Sequence, residues 1–189
     1  MNLTFEKFCE MYPLLEMPLV FPTEVNPEYI NKYLMRHIKD GLATKSFIPT
    51  STKNIFSYPK STTESIYIMI DGMNLVGGAS FKVVTQCNNA YVTPIITKKF
   101  IDGYPRVALD IYKVAYNNFK IPILTDSSQS VHSSEMWKKW VTNPTKYGIE
   151  NVAILNSSNG TCSSEGYSLD DIWGIDKEHI LVAIEFNYV

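Results

Sequence analysis

The stretch IPILTDSSQSVHSSEMWKKWV, residues 121–141, decides the fold class because it joins a short apolar strand, a polar turn and a helix. Ile121–Leu124 carries no polar side chain, which is typical of a strand buried on both faces. Ser130 or Ser133 can cap the helix that follows. The apolar positions of that helix are Met136, Trp137, Trp140 and Val141. A buried strand leading into such a helix indicates an α/β protein.

The segments on either side extend this pattern. Three runs with β-branched and aromatic residues precede it and predict an antiparallel meander: Ser65–Asp71, Ala79–Thr85 and Ala90–Ile96. Pro105–Asn118 has apolar residues at helical spacing. Two more strands are predicted after the quoted stretch, at Asn151–Leu155 and His179–Val189. This interleaved order predicts an α/β domain of three layers, a mixed sheet with helices on both faces.

The first 60 residues have a different character. Thr4–Tyr12 and Asn26–Gly41 predict two short helices, each with a capping residue at its start. Lys45–Glu64 is rich in Ser, Thr, Lys and Pro and predicts a loop. We therefore predict an N-terminal helical segment and loop over residues 1–60 and an α/β domain over residues 61–189, packed as one compact unit.

Composition excludes several classes of protein. Hydrophobic residues make up 45% and charged residues 19%, so the chain can bury a core and is not disordered by composition. The net charge of −2 and the lack of a long basic run disfavour nucleic-acid binding. No apolar stretch reaches the roughly 18 residues of a membrane span, so we expect a cytoplasmic protein. The three cysteines are far apart, which argues against a disulfide framework and a zinc site, and no metal is expected.

One local motif resembles a known family. Ile123–Ser130, followed by Met136–Trp140, is similar to a segment of GNAT-like proteins that bacteriophages encode. There a strand ends in Ser/Thr-Asp, a polar turn contains Gln-Ser, and a helix carries Leu/Met-Trp and a basic residue. The order of elements over Ile66–Val152 also resembles the GNAT acetyltransferase fold, in which a meander, a helix, a parallel strand, a second helix and a closing hairpin follow one another. The resemblance implies a phage protein of the host cytoplasm with an acetyltransferase-like fold.

The resemblance also implies a site for the pyrophosphate of acetyl-CoA before the Pro105–Asn118 helix. The family motif is Arg/Gln-x-x-Gly-x-Gly/Ala, whose backbone N–H groups hold the phosphates at a helix start. Gly103 matches the middle glycine, but Phe100 and Pro105 depart from the motif, and proline has no N–H to donate. Asp102 adds negative charge. The expected cofactor contacts are Gly103, Tyr104, Arg106, Ser127 and Gln129. The alternative is a plain turn with proline at the first helical position.

Catalysis in the family needs a base near the amine and often a tyrosine as acid. Asp126 and Glu135 are the candidate bases, and Tyr147 or Tyr112 the candidate acid. Asp126 follows the carboxyl end of a strand, where ligands bind in α/β sheets, although a capping role in a turn is the alternative. Trp137 and Trp140 favour core packing over a partner surface.

Two functions follow from these observations. The first is an acyl-CoA-dependent N-acetyltransferase with a degenerate pyrophosphate loop. The second is a non-catalytic phage protein that uses the same scaffold to bind and modulate a host protein. A shared fold does not choose between them.

Overall fold

The computed structural model describes residues 44–47, 53–59, 61–71, 74–99, 101–126, 131–156 and 180–187. These residues form eight strands: β1 (Thr44–Phe47), β2 (Lys53–Pro59), β3 (Glu64–Asp71), β4 (Asn74–Gln86), β5 (Asn89–Lys99), β6 (Ile123–Leu124), β7 (Ile149–Asn156) and β8 (Ile180–Phe186). Their helices are α1 (Val107–Phe119), α2 (Val131–Thr142) and α3 (Pro144–Tyr147). The α/β class with a mixed sheet is confirmed. Helices on both faces stay a prediction, and the two predicted N-terminal helices lie outside the described residues.

The chain divides into two compact units, and β4, β5 and α1 contribute residues to both. The first unit comprises Met1–Phe81 and Ile96–Val114, and the second comprises Lys82–Ile95 and Ala115–Val189. Within the first unit the strand order is β1-β2-β3-β4. Within the second it is β4-β5-β6-β8-β7.

The predicted loop over Lys45–Glu64 is wrong, because this segment holds two strands. β1 pairs antiparallel with β2, and β2 pairs antiparallel with β3 over its whole length. Ile55 and Phe56 are 0% and 2% exposed. Their burial, not the polar composition around them, sets the local structure, because strand preference depends on packing against neighbouring strands.

The core of the first unit is built around aromatic rings in edge-to-face contact. Phe81 makes edge-to-face contacts with Tyr67 and Tyr112, with ring centres 5.4 and 5.0 Å apart. Tyr112 is 1% exposed, and its hydroxyl shares a 3.0 Å hydrogen bond with the Thr97 hydroxyl. A buried tyrosine needs such a partner for its polar tip. Tyr112 is therefore a core residue of this unit, which leaves Tyr147 as the candidate acid.

The second unit combines parallel and antiparallel pairing. β6 pairs parallel with β5 and antiparallel with β8, which in turn pairs antiparallel with β7. One apolar cluster consists of Tyr91, Leu124, Leu155, Leu181 and Ala183. Trp137 and Trp140 are 0% and 4% exposed, and their ring centres lie 5.5 Å apart. The prediction that this pair belongs to the core is confirmed.

A tight turn at Cys87 and Asn88 joins β4 to β5. Both residues have positive φ, 53° and 62°. Two consecutive residues of this kind are typical of the type I′ turn, whose twist matches that of a hairpin. Cys87 is disulfide-bonded, although the spacing of the cysteines argued against a disulfide framework. Sequence spacing misled because a disulfide requires spatial closeness and sets no limit on sequence separation.

Breaking this disulfide is expected to destabilise the protein strongly. Either of the other cysteines in the chain, Cys9 or Cys162, closes a loop of roughly 75 residues with Cys87, a constraint worth about 4 kcal/mol in the unfolded chain. Urea unfolding with and without dithiothreitol measures the loss. Cys87→Ser should lose as much and should not respond to the reductant. Equal stability of wild type in both conditions would contradict the bond.

Candidate functional site

Strands β5 and β6 make one parallel contact and then take different partners. Val92 pairs with Ile123, and the Val92 N–H donates to the Pro122 carbonyl at 2.9 Å. Thr125 instead bonds to β8. Its N–H donates to the Val182 carbonyl at 2.8 Å, and its hydroxyl oxygen accepts the Val182 N–H at 2.9 Å. The chain after β6 is therefore held by β8.

A proline lies where the parallel ladder would continue. Peptide groups on one edge of a strand alternate with a period of two, so the main-chain nitrogen of residue 94 faces β6 as that of Val92 does. Pro94 has no N–H to donate to the next carbonyl on β6, that of Leu124. The following side chain, Ile95, is 40% exposed. We call Thr93–Ile95 with Leu124–Asp126 the β5–β6 opening.

Asp126 lies at the end of this opening. It is half-buried and follows β6 after Thr125, which is 3% exposed and fixed by its two bonds to β8. A carboxylate at the carboxyl end of a parallel strand lies where α/β proteins commonly bind ligands. The predicted cofactor contacts Ser127 and Gln129 lie outside the described residues.

A second feature of the same unit is a groove between α2 and α3. Its volume is about 200 Å³. We call it the α2–α3 groove, and its lining residues are His132, Glu135, Met136, Lys139, Trp140 and Tyr147. The five residues from α2 are spaced by three or four positions, which places them on one helix face. Trp140 is buried, whereas Glu135 is exposed.

The local sequence explains how α3 presents Tyr147. Pro144 stands at the start of this helix and Gly148 ends it in the left-handed conformation with φ of 68°. The Gly148 N–H donates to the Thr145 carbonyl at 3.2 Å. Proline at the start and glycine after the end are strong helix boundary signals, which the sequence prediction overlooked. The Lys146 ammonium lies 5.7 Å from the centre of the Tyr147 ring.

The groove brings together two of the three predicted catalytic residues, Glu135 and Tyr147, whereas Asp126 is not part of its lining. It offers a carboxylate and a phenol above an aromatic wall. Small-molecule sites commonly measure roughly 300–1,000 Å³, so this volume suits a side chain or a small polar group better than a whole cofactor. The sequence prediction missed His132, Met136 and Lys139, although their helical spacing with Glu135 was a usable signal.

The predicted pyrophosphate loop belongs to the first unit. Gly103 is exposed with φ of 85°, a conformation that favours glycine. Tyr104 is half-buried, and Arg106 is exposed with φ of 63°. Asp102 is fully exposed and its carboxylate lies 3.5 Å from the Lys99 ammonium. Two cationic side chains, Lys99 and Arg106, therefore flank the loop, and the Asp102 carboxylate lies between them in the sequence.

Lys53 reaches the start of α1 from β2. Its ammonium donates to the Pro105 carbonyl at 3.3 Å and lies 3.5 Å from the Asp110 carboxylate. Both side chains are largely shielded, at 15% and 19% exposure. α1 begins at Val107, so Pro105 lies before the helix. The alternative of a plain turn with proline at the first helical position is therefore wrong in this detail. The sequence prediction missed Lys53 because it placed this residue in a loop.

Burial shifts the ionisation of this cluster. Desolvation raises the pKa of Asp110 above its usual value of 3.8, although Lys53, Arg106 and Lys113 act in the opposite direction. Desolvation also lowers the pKa of Lys113, and repulsion from Arg106 adds to this effect. Three cations lie near one carboxylate here, and the cost of burying its charge outweighs their attraction.

No family model, curated protein or solved structure matches the chain. Within the described ranges no three His, Cys, Asp or Glu side chains are grouped as metal ligands would be. The described helices are also too short or too polar to cross a membrane.

Replacing Asp110 by asparagine is expected to change how stability depends on pH. A carboxyl whose folded pKa is raised stabilises the fold below the unfolded pKa of 3.8, and this contribution is lost as the pH rises through the folded value. The wild type should therefore lose stability relative to Asp110→Asn as the pH rises from below 3.8 through the raised pKa of the folded state. Urea unfolding across this range measures the difference.

Asp102→Asn removes the same charge from a fully exposed side chain and serves as the control. A constant gap between wild type and Asp110→Asn over this pH range would contradict the raised pKa.

Proposed function

We propose that the chain is a GNAT-like, acyl-CoA-dependent N-acetyltransferase. The observation that carries the proposal is the limited parallel pairing of β5 and β6, which consists of Val92 with Ile123 and stops before Asp126. The order of the elements supports it as well. Hairpin-connected strands lead into α1, a short parallel strand, α2 and a closing antiparallel pair, as in the family that the sequence resembles.

The opening suits the arm of acyl-CoA. This arm is an extended chain with amide groups, and extended amides bind to the unpaired edges of strands through main-chain hydrogen bonds. In this proposal the arm lies between Thr93–Ile95 and Leu124–Asp126, and exposed Ile95 contacts its apolar part. The α2–α3 groove is too small for the cofactor and is assigned to the acceptor or to the catalytic acid.

The proposed reaction moves the acetyl group from sulfur to nitrogen. Asp126 accepts a proton from the ammonium of the acceptor, and the free amine attacks the thioester carbonyl. The carbon–sulfur bond then breaks, and the thiolate takes a proton from the Tyr147 hydroxyl. The surplus proton of the acetylated nitrogen is released to the Tyr147 phenolate, which leaves a neutral amide and a neutral phenol. Glu135, exposed in the groove, attracts the positively charged acceptor or replaces Asp126 as the base. The acceptor is an amine of a small molecule or a protein.

Charge for the cofactor phosphates is supplied differently from the family motif. Lys53 brings an ammonium to the Pro105 carbonyl, next to the loop in which Phe100 replaces the expected Arg or Gln. Arg106 adds a second cation with an exposed side chain. Gly103 and Tyr104 stay the proposed main-chain contacts to the phosphates.

The alternative function is non-catalytic binding, in which a phage protein with this scaffold modulates a host protein. Two observations favour it. Pro105 offers no N–H to a phosphate, and the fully exposed Asp102 carboxylate next to Gly103 repels one. A chain that has lost cofactor binding keeps its fold, because the fold does not depend on the cofactor.

Acetyl-CoA is expected to raise the melting temperature. A ligand that binds only the native state stabilises it by about 2.7 kcal/mol at a concentration one hundred times its dissociation constant. Differential scanning fluorimetry with up to about 1 mM acetyl-CoA, a concentration well above most cofactor dissociation constants, measures the shift. ADP at equal concentration is the control for non-specific binding of phosphates.

Acetyl transfer to a mixture of amines then tests the roles of the side chains. Asp126→Asn should keep the thermal shift and lower the rate by about 100-fold, the usual contribution of a general base. Tyr147→Phe and Glu135→Gln test the groove in the same assay. Absence of any shift with acetyl-CoA would refute the enzyme and leave the binding alternative.

A further inference from the structure

We infer that Pro94 is the residue that holds the β5–β6 opening open, by denying β6 a main-chain donor at the second step of the parallel ladder. The inference rests on the proposed function for the identity of the ligand, acyl-CoA. The effect of Pro94 on strand pairing stands on the geometry alone. Pro94 is a positioning residue in this proposal and does not take part in the chemistry.

The first step of the argument is the direction of the peptide groups. The Val92 N–H points toward β6, because it donates to the Pro122 carbonyl at 2.9 Å. Residue 94 has the same orientation two positions later. In a regular parallel ladder its N–H would bond to the carbonyl of Leu124. Proline removes this bond, whatever the side chains around it.

The second step is the unusual place of this proline. Within sheets, proline is found on edge strands, at the first residue of a strand or at bulges. Pro94 occupies the middle of β5, a strand with neighbours on both sides, β4 and β6. It is also buried, and Thr93 before it is 7% exposed. Proline in the interior of a strand with two neighbours is therefore unusual.

The third step is what happens to β6. Its described strand ends at Leu124. The next residue, Thr125, uses both its N–H and its side-chain oxygen to bond Val182 on β8. These two hydrogen bonds hold Thr125 against β8, whereas β5 continues to Lys99. A residue that breaks a local rule without a gain in stability is a candidate for a functional role.

The test replaces Pro94 by residues that restore the donor. Pro94→Val adds an N–H and a side chain that favours strands, and Pro94→Ala adds the N–H without extra bulk. In both variants the new amide is expected to be protected in hydrogen–deuterium exchange followed by NMR. The melting temperature should rise or stay unchanged, while acetyl-CoA binding measured by calorimetry should weaken about tenfold or more.

Pro59→Val is the matched control. It makes the same replacement at an exposed proline at the end of β2, a position to which the proposal assigns no cofactor contact. This variant should bind acetyl-CoA as the wild type does. Loss of cofactor affinity without loss of stability in the Pro94 variants is a result that a purely structural proline does not produce.

Two results would overturn the inference. One is an unprotected amide at residue 94 in both variants, which would show that β6 does not close onto β5. The other is protection of the amide with unchanged acetyl-CoA affinity. If the wild type itself fails to bind acetyl-CoA, the proposed function fails, and the exchange measurement still decides whether Pro94 prevents the pairing.

Discussion

The constraint on which the second unit depends is that buried peptide groups must find hydrogen-bond partners. β6 is two residues long, and both of its residues are buried. It meets this requirement with β5 on one side and β8 on the other, through the Val92 and Thr125 bonds. Where the partner on the β5 side lacks a donor, the ladder stops. Asp126 follows at that point, so the place of the candidate carboxylate follows from main-chain bonding.

The first unit is organised by the burial of polar atoms beside aromatic rings. Phe81 lies between Tyr67 and Tyr112, and the Tyr112 hydroxyl is satisfied by Thr97. Lys53 and Asp110 are shielded together, which explains why neither charge is left without a counterion. Removing one partner of a shielded pair is more harmful than replacing both. The same lysine bonds the main chain before α1, which ties β2 to the loop that the family resemblance marks as a cofactor site.

The elements with a strong periodic pattern could be predicted from the sequence. The meander, α1, β7 and β8 were found to within a few residues at each end, apart from β4, which begins at Asn74 and not Ala79. β1 and β2 were missed because Ser, Thr and Lys surround Ile55 and Phe56, and only pairing with β3 explains why these positions are strands. Glu135 and Tyr147 lie in one groove, as helical spacing and the Pro144–Gly148 boundaries allow. The position of Lys53 depends on its contacts with Pro105 and Asp110, which are more than 50 residues away in the sequence, so no local sequence pattern predicts it.

The turn at Cys87 and Asn88 places a cysteine in a backbone conformation that costs free energy. Asn-Gly and Gly-Gly are the pairs that best tolerate two positive φ angles, and a residue with a Cβ in the left-handed region costs about 1–2 kcal/mol. A cysteine at the first position of this turn is thus a poor choice for the backbone and a necessary one for the covalent bond. At this hairpin tip the disulfide, and not backbone preference, explains why a cysteine occupies a position with positive φ. Because forming a disulfide removes two electrons from the thiols, the fraction of chains that carry this bond depends on the redox potential around them.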